Sequence, residues 1–327
     1  MQVYLRQTAL AFCVIRPDSL KLRIGRRNQE NTEADKNMIQ DIGKNRYHNE
    51  YFEAQPQNDS RILCYRGREI LVRCEDETIS YLTYGQVTKR FPQLEGHATY
   101  LFSIDTMQYF LFRGQYGDIL LQNARQEFPK FGWEKIDLMR AACPQDAAFA
   151  GVTGMQLSGW YEARRFCAHC GHELVHSRQE RMLYCDVCGQ REYPKISPAV
   201  IVAVTDQDRI VLTKYAGRSF TRYALIAGFA EIGETIEETV AREVMEEVGL
   251  KVKNIRYYKS QPWSFSDTLL MGFFAELDGD DRIRLDENEL SVAKWCTREE
   301  VPADDGVSLT REMMRVFKEG REHCISG

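Results

Sequence analysis

The sequence predicts an α+β chain in three parts: a mainly β region over residues 1–160, a compact cysteine-rich ribbon over 161–195, and a mixed domain of strands and helices over 196–327. Three observations lead there. Short apolar segments rich in β-branched and aromatic residues recur as far as Phe112. Two Cys-x2-Cys pairs fall between Cys167 and Cys188, and beyond Pro198 strand-like runs flank one strongly capped helix. At 327 residues the chain is long for one domain, given roughly 100–200 residues each. The last region shows no strict βαβ rhythm, which suggests an α+β or α/β/α sandwich.

In the first region, segments at 62–65, 70–72, 79–84, 100–104 and 109–112 read as strands, with Gly67, Gly85 and Gly114 among the turn residues between them. Residues 26–61 are polar and read as a long loop or a disordered insertion. The region holds no chemical constellation, so a scaffold or dimerisation role is expected. An apolar run at 8–15 is too short to cross a bilayer and lacks the flanks of a signal peptide; it reads as a buried strand. A net charge of −5 argues against a general electrostatic grip on nucleic acid or membrane, but not against a local anion site.

The cysteines carry the next signal. Cys167-Ala-His-Cys170-Gly and Cys185-Asp-Val-Cys188-Gly are separated by fourteen residues, near the short edge of ribbon spacing. Each pair makes a knuckle, and four thiolates close a tetrahedral Zn²⁺ site with no open position, so the site is structural. His169, His172 and His176 are weaker candidate ligands. Arg178, Arg181 and Arg191 are offset by Glu173, Glu180 and Glu192, which favours a structural ribbon over a nucleic-acid-binding one. Cys13, Cys64, Cys74, Cys143, Cys296 and Cys324 are scattered, so the cysteines read as a metal site in a reducing cytoplasm rather than a disulfide framework.

In the last region, 199–204 and 210–212 read as strands linked by Asp206-Gln207-Asp208, 255–258 and 269–277 as further strands, and Leu309–Lys318 as a closing helix. A Gly-containing loop precedes the central helix. Thr235 and Glu238 make a capping box and Gly249 supplies a left-handed stop. Val240, Ala241, Val244 and Val248 form its apolar stripe. Glu243, Glu246 and Glu247 stand at i, i+3 and i+4 beside it. Clustered carboxylates repel one another, so the grouping suggests a divalent cation; a solvated acidic face partnered by Arg242 is the plain alternative.

The stretch Gly228-x5-Glu234-x7-Arg242-Glu243-Val244-x-Glu246-Glu247-x-Gly249-Leu250 resembles the Nudix box at every fixed position. The resemblance implies a loop–helix–loop on an α/β/α sandwich. It also implies that Glu243 and Glu247 bind Mg²⁺ or Mn²⁺ with Glu246 assisting, that Arg242 orients the glutamates, and that Gly228 and Glu234 support them. Such a metal would neutralise a diphosphate and activate water, and Glu247 is the first candidate to take the water's proton, with Glu246 next.

Ser260-Gln-Pro-Trp-Ser-Phe-Ser-Asp-Thr-Leu269 is similar to the Ser-Gln-Pro-Trp-Pro-Phe-Pro-x-Ser signature of the NADH pyrophosphatase subfamily, which also carries a four-Cys ribbon and a Tyr-Pro pair, here Tyr193-Pro194. The departures are Ser264 and Ser266 for the two prolines and Thr268 for the final serine, which should loosen the loop. This resemblance implies a homodimer. Phe229 and the other subunit's Tyr193 would stack on the nicotinamide, and Glu289 would be a further metal-binding glutamate. Gln261, Trp263 and Thr268 would line the pocket, and Glu180 would touch the ligand. The implied reaction is hydrolysis of NADH and NAD⁺ to nicotinamide mononucleotide and AMP, and the same pocket would accept an NAD cap on RNA. Two rival readings stand beside it: a pyrophosphatase for another dinucleotide such as ADP-ribose, and a zinc-ribbon nucleic-acid-binding or nucleotide-sensing regulator.

Overall fold

The computed structural model describes residues 38–217, 222–303 and 308–324. The strand expected at 8–15, Cys13 and the first part of the polar insertion lie outside them. Two compact units are present, Ile39–Ile196 and Ser197 onward.

The first unit holds three sheets, of which the smallest joins Val175–His176, Leu183–Tyr184 and Arg191–Glu192 in the ribbon; the other two are larger. One is five-stranded, in the order Tyr47–His48, Ala98–Ile104, Met107–Phe112, Arg61–Ile62, Leu82–Thr83; the other joins Tyr65–Arg66, Glu69–Glu75 and Thr78–Ser80, with Gly132–Lys135 beside Glu69–Glu75. The segments at 100–104 and 109–112 therefore form one antiparallel hairpin, with Asp105 at positive φ in its turn. Three helices that the apolar pattern did not reveal complete the unit: Tyr84–Arg90, Gly114–Glu127 and Gln145–Ala163. The last is hidden for a physical reason. Ala147, Ala148, Ala150, Gly151, Val152 and Trp160 bury most of its circumference, so no one-sided stripe exists to be read. A Cβ at Gly154 would overlap Leu63 and the Tyr65 hydroxyl, so a helix that costs stability on propensity is required by close packing.

The second unit is a mixed sheet between two helices. Its strands are β1 (Ser197–Asp206), β2 (Arg209–Tyr215), β3 (Ile226–Phe229), β4 (Val252–Trp263), β5 (Thr268–Leu277) and β6 (Leu290–Thr297). Its helices are α1 (Ile236–Val248) and α2 (Leu309–Lys318). The sheet order is β4-β5-β1-β2-β6, with β3 pairing β1. β1 and β5 are parallel along their length, and the other pairs are antiparallel. The expected hairpin at Asp206–Arg209 is present, with Gln207 at positive φ.

Alternation along β1 sets the layers. Val200, Val202 and Val204 join Val240, Val244 and Val248 of α1 in one core. On the opposite face Gly272 of β5 lets α2 lie close: a Cβ there would come within 2.7 Å of the Met313 sulfur. Ala241, expected in the α1 stripe, is exposed. β3 falls in a stretch read as loop, because four residues including a glycine carry no alternation.

Candidate active site

The site rests on how α1 begins, ends and faces the sheet. Thr235 Oγ1 accepts from Glu238 N at 3.2 Å, and Glu238 Oε2 accepts from Thr235 N at 2.8 Å, so two otherwise orphaned donors are satisfied reciprocally. Gly249, at φ 68°, closes the helix by donating to the Met245 carbonyl. The buried valines fix the rotation of α1, each contributing about 1.5–3 kcal/mol of burial. That rotation places Glu243 and Glu247 at the edge of the stripe, 8% and 2% exposed, and leaves Glu246 facing outward.

Gly228 of β3 explains the first position of the box. A Cβ there would overlap the Glu243 carboxylate, so only glycine leaves room for that side chain against the strand. Arg242 then ties the surrounding acids together. Its Nε and Nη2 donate to Glu234 at 2.6 and 2.9 Å, its Nη1 to Glu243 Oε1 at 2.6 Å and Glu246 Oε2 at 3.0 Å, and its Nη2 to the Phe229 carbonyl at 2.9 Å. Paired donation to one carboxylate suits a planar guanidinium and not an ammonium.

Glu234 also accepts from Glu231 N and Thr239 Oγ1. The Arg242 hydrogen bonds, helped by these donors, hold its carboxyl down at about 2. Glu234 is thus a fixed anion that anchors Arg242. Glu243 behaves oppositely: burial raises its pKa, Arg242 opposes the rise, and the charges of Glu246 and Glu289 add to it.

That last influence brings in Glu289, and the backbone shows how it is placed. Arg284 N donates to the Val248 carbonyl at 2.8 Å and Asp286 N to the Glu247 carbonyl at 3.1 Å. The loop leading to Glu289 is therefore docked on carbonyls that the end of α1 would otherwise leave unsatisfied. The set Glu243, Glu246, Glu247 and Glu289 offers only hard carboxylate oxygens, the donor chemistry that suits Mg²⁺ or Mn²⁺. The room left by Gly228 for a buried carboxylate fits the same use.

The resemblance-derived pocket residues are mostly interior. Gln261, Trp263 and Thr268 are 0%, 1% and 4% exposed. Gln261 and Trp263 lie on the edge strand β4 rather than in a loop, and the turn is confined to Ser264–Asp267. Trp263 packs on Phe265 with ring centroids 4.9 Å apart, and Thr268 Oγ1 donates to the Ser266 carbonyl. Gln261 Oε1 accepts from Leu309 N at 2.7 Å, supplying the cap that the Ser308 side chain does not give α2. We expect Gln261→Ala to lower unfolding stability by about 1–3 kcal/mol, because a buried N–H loses its acceptor. Urea denaturation would measure this, and an unchanged midpoint would remove the capping role.

The ribbon, in the first unit, brings its four cysteines together as expected. Their sulfurs all lie within 4.8 Å of one another, with Cys167–Cys188 at 3.5 Å and Cys170–Cys185 at 3.4 Å. A Zn–S distance of about 2.3 Å in a tetrahedron puts sulfurs about 3.8 Å apart, so the set fits Zn²⁺. The two knuckles match: Gly171 and Gly189 share φ 77°, while Cys167 N donates to the His172 carbonyl and Cys185 N to the Gln190 carbonyl. Backbone N–H groups, that of Cys170 first for Cys167 and that of Cys188 first for Cys185, lower these two thiols toward the thiolate that a metal needs, while the thiols of Cys170 and Cys188 are raised.

His176 is not part of the cluster. Its ring bonds the Tyr51 and Tyr161 hydroxyls at 3.1 and 2.7 Å, and burial lowers its pKa to about 4. Tyr193 is half-exposed, and its hydroxyl donates to Glu180 at 3.4 Å, so these two expected ligand contacts meet within the ribbon. We expect about one zinc per chain by elemental analysis, and loss of the metal with local destabilisation in Cys185→Ser. Freshly purified protein without zinc would remove the ribbon site.

Residues 195–317 match the model of the NUDIX domain. Over 149 residues the chain is 44% identical to the NAD-capped RNA hydrolase NudC of Escherichia coli O9:H4 (strain HS), covering 46% of this chain and 58% of that protein. Over 166 residues it is 42% identical to the NAD-capped RNA hydrolase NudC of Salmonella schwarzengrund, covering 50% and 64%. The chain thus spans less than two thirds of the length of these relatives. A solved NUDIX hydrolase from Nitrosomonas europaea is similar with a TM-score of 0.42 and 24% identity, covering 49% of this chain and 93% of that one. None of the helices among the described residues is long and apolar enough to cross a membrane. Every fixed position of the box is present, from Gly228 on β3 through α1 to Leu250, and residues 195–317 are similar throughout to the NUDIX domain.

Proposed function

We propose that the chain hydrolyses the diphosphate bond of NADH and NAD⁺ to nicotinamide mononucleotide and AMP, and removes NAD caps from RNA 5′ ends by the same reaction. The observation that carries this reading is the Arg242-centred carboxylate array against Gly228, together with the Ser-Gln-Pro-Trp stretch in the same unit. The NudC relatives, named as NAD-capped RNA hydrolases, support the substrate class.

Glu243, Glu246, Glu247 and Glu289 would hold Mg²⁺ or Mn²⁺, which when bound supplies charge neutralisation of the diphosphate and a more acidic water. The chain's own work is positional. Glu234 locks Arg242, and Arg242 holds Glu243 and Glu246 in register against their mutual repulsion. Glu247 takes the water's proton, and its burial beside the valine stripe keeps its position fixed. The α1 cap and stop hold this register through the whole reaction, which matters because small displacements of catalytic groups are costly. In this reading the ribbon's Zn²⁺ is structural and the enzyme works in the cytoplasm.

The test is a panel of NADH, NAD⁺, ADP-ribose and NAD-capped RNA under matched Mg²⁺ and Mn²⁺, with products identified by mass. Nicotinamide mononucleotide and AMP from NADH are expected; preferential cleavage of ADP-ribose would replace the assignment. The subfamily resemblance adds a homodimer in which Tyr193 completes the partner's pocket with Phe229. Tyr193→Ala should then raise the KM for NADH by about tenfold, the cost of one lost stacking contact, with an unchanged melting temperature. A monomer with full activity by light scattering under assay conditions would refute the shared pocket.

A further inference from the structure

A cleft of about 630 Å³ lies wholly within the first unit, with Arg113, Gly114, Tyr116, His97 and Arg165 in its wall. Its wall carries several donors. The Arg113 guanidinium lies over the Tyr161 ring, 4.6 Å from the centroid, and its Nε is buried with no hydrogen-bond partner. Such an orphaned donor is rare in a folded protein and asks for an acceptor.

Gly114 opens the helix Gly114–Glu127, which has no side-chain cap. The Arg113 carbonyl takes the N–H groups of Tyr116 and Gly117, so the Gly114 and Gln115 amides have no acceptor within the helix. Arg165 Nη2 lies 3.9 Å from where a Cβ on Gly114 would stand. The helix N-terminus and the Arg165 guanidinium therefore lie side by side, and the Arg113 guanidinium, over Tyr161, lines the same cleft.

The rest of the wall is different. His97 and Tyr116 are stacked, 3.8 Å apart at 11°, and His97 is exposed, a ready platform for another ring. Glu162 and Glu173 also line the cleft. Two carboxylates oppose a bare multivalent anion, but they accept hydrogen bonds from sugar hydroxyls and amino groups. Arg164, also in the wall, is engaged by Glu192 at 3.2 Å.

We propose that this cleft is a nucleotide-binding site separate from the carboxylate array. The phosphate sits against Arg113, Gly114 and Arg165, the base on the His97–Tyr116 pair, and hydroxyl or amino hydrogens point to Glu162 and Glu173. The volume is that of a small-ligand pocket, and only a ligand with phosphate, hydroxyl and ring uses every part of the wall. The nucleotide is either a free mononucleotide or one residue of an RNA strand.

Hydrogen–deuterium exchange on the full chain tests this with three probes: AMP, a 5′-phosphorylated hexa-adenylate and inorganic phosphate. AMP should slow exchange in the peptide spanning Gly114–Gly117, at lower concentration than phosphate does. Arg165→Glu, at an exposed position, should raise the required concentration at least about tenfold, the scale of one lost charge-assisted contact, while NADH hydrolysis stays within about twofold. Arg113→Gln should do the same, with its melting temperature recorded alongside. Stronger protection by the hexanucleotide than by AMP assigns the cleft to an RNA strand; the reverse assigns it to the free nucleotide. No protection of that peptide at concentrations on the order of 10 mM, phosphate matching AMP, or protection that Arg165→Glu leaves unchanged would each overturn the proposal. Wild-type protein that shows the protection but no NADH hydrolysis would count against the proposed reaction alone.

Discussion

Glu247→Gln is expected to lower NADH turnover by about 10²–10⁴-fold, the usual scale for loss of a general base, with little change in melting temperature. The glutamine keeps the size and the hydrogen-bonding capacity of the glutamate but removes its charge and its basicity. Glu247 stands one turn from Glu243 and next to Glu246 on α1, and it is 2% exposed, against an exposed Glu246. A buried carboxylate so close to other carboxylates is disfavoured by desolvation and repulsion, so neutralising it should cost little stability and could add some. A glutamate serving only the surface would behave in reverse, with normal turnover and a stability change within roughly ±0.5 kcal/mol. Turnover at saturating Mg²⁺ and melting temperature, measured on the same preparation, separate the two. Turnover near wild type would take Glu247 out of the mechanism and move the proton-accepting role to Glu246.

What could be read from the sequence was what local chemistry decides. The capping box at Thr235 and Glu238, the stop at Gly249 and the closing helix Leu309–Lys318 depend on near neighbours, and the structure has all of them. The cysteine pairs are likewise local, since each knuckle closes over six residues, Cys167 to His172 and Cys185 to Gln190. The unread parts depend on contacts far apart in the chain. Gln145–Ala163 is a helix because Tyr65, Tyr81 and Leu63 pack where its small residues leave room, and nothing in its own stretch announces that. Gln261 belongs to a stretch that resembles a substrate-pocket signature, yet its side chain caps a helix that starts 48 residues later. The positions of Arg242 and Glu234 were marked by pattern alone. Their geometry supplies the reason: one guanidinium spans three carboxylates and the Phe229 carbonyl.

Gly228→Ala should reduce turnover by about 10²-fold, the penalty expected when a catalytic group is displaced by about 1 Å. Gly228 adopts ordinary strand geometry in β3, pairing with Val200, so alanine costs nothing there in backbone conformation. The cost is spatial. The added methyl would overlap the Glu243 carboxylate, which must then swing off the strand and out of the grip of Arg242 Nη1. Because the surrounding core is closed by Val240 and Val244, the misfit should also lower stability by about 1–3 kcal/mol. If the clash with one side chain is the whole cause, shortening that side chain must relieve it, so in a Glu243→Ala background the Gly228→Ala change should be nearly neutral for stability. The coupling between the two positions, read from urea denaturation of the wild type, both single variants and the double variant, should be on the order of 1 kcal/mol or more, as for residues in direct contact. Additive effects within about 0.5 kcal/mol would mean that Gly228 is required for some other reason, and that Glu243 is not held where the strand leaves room for it.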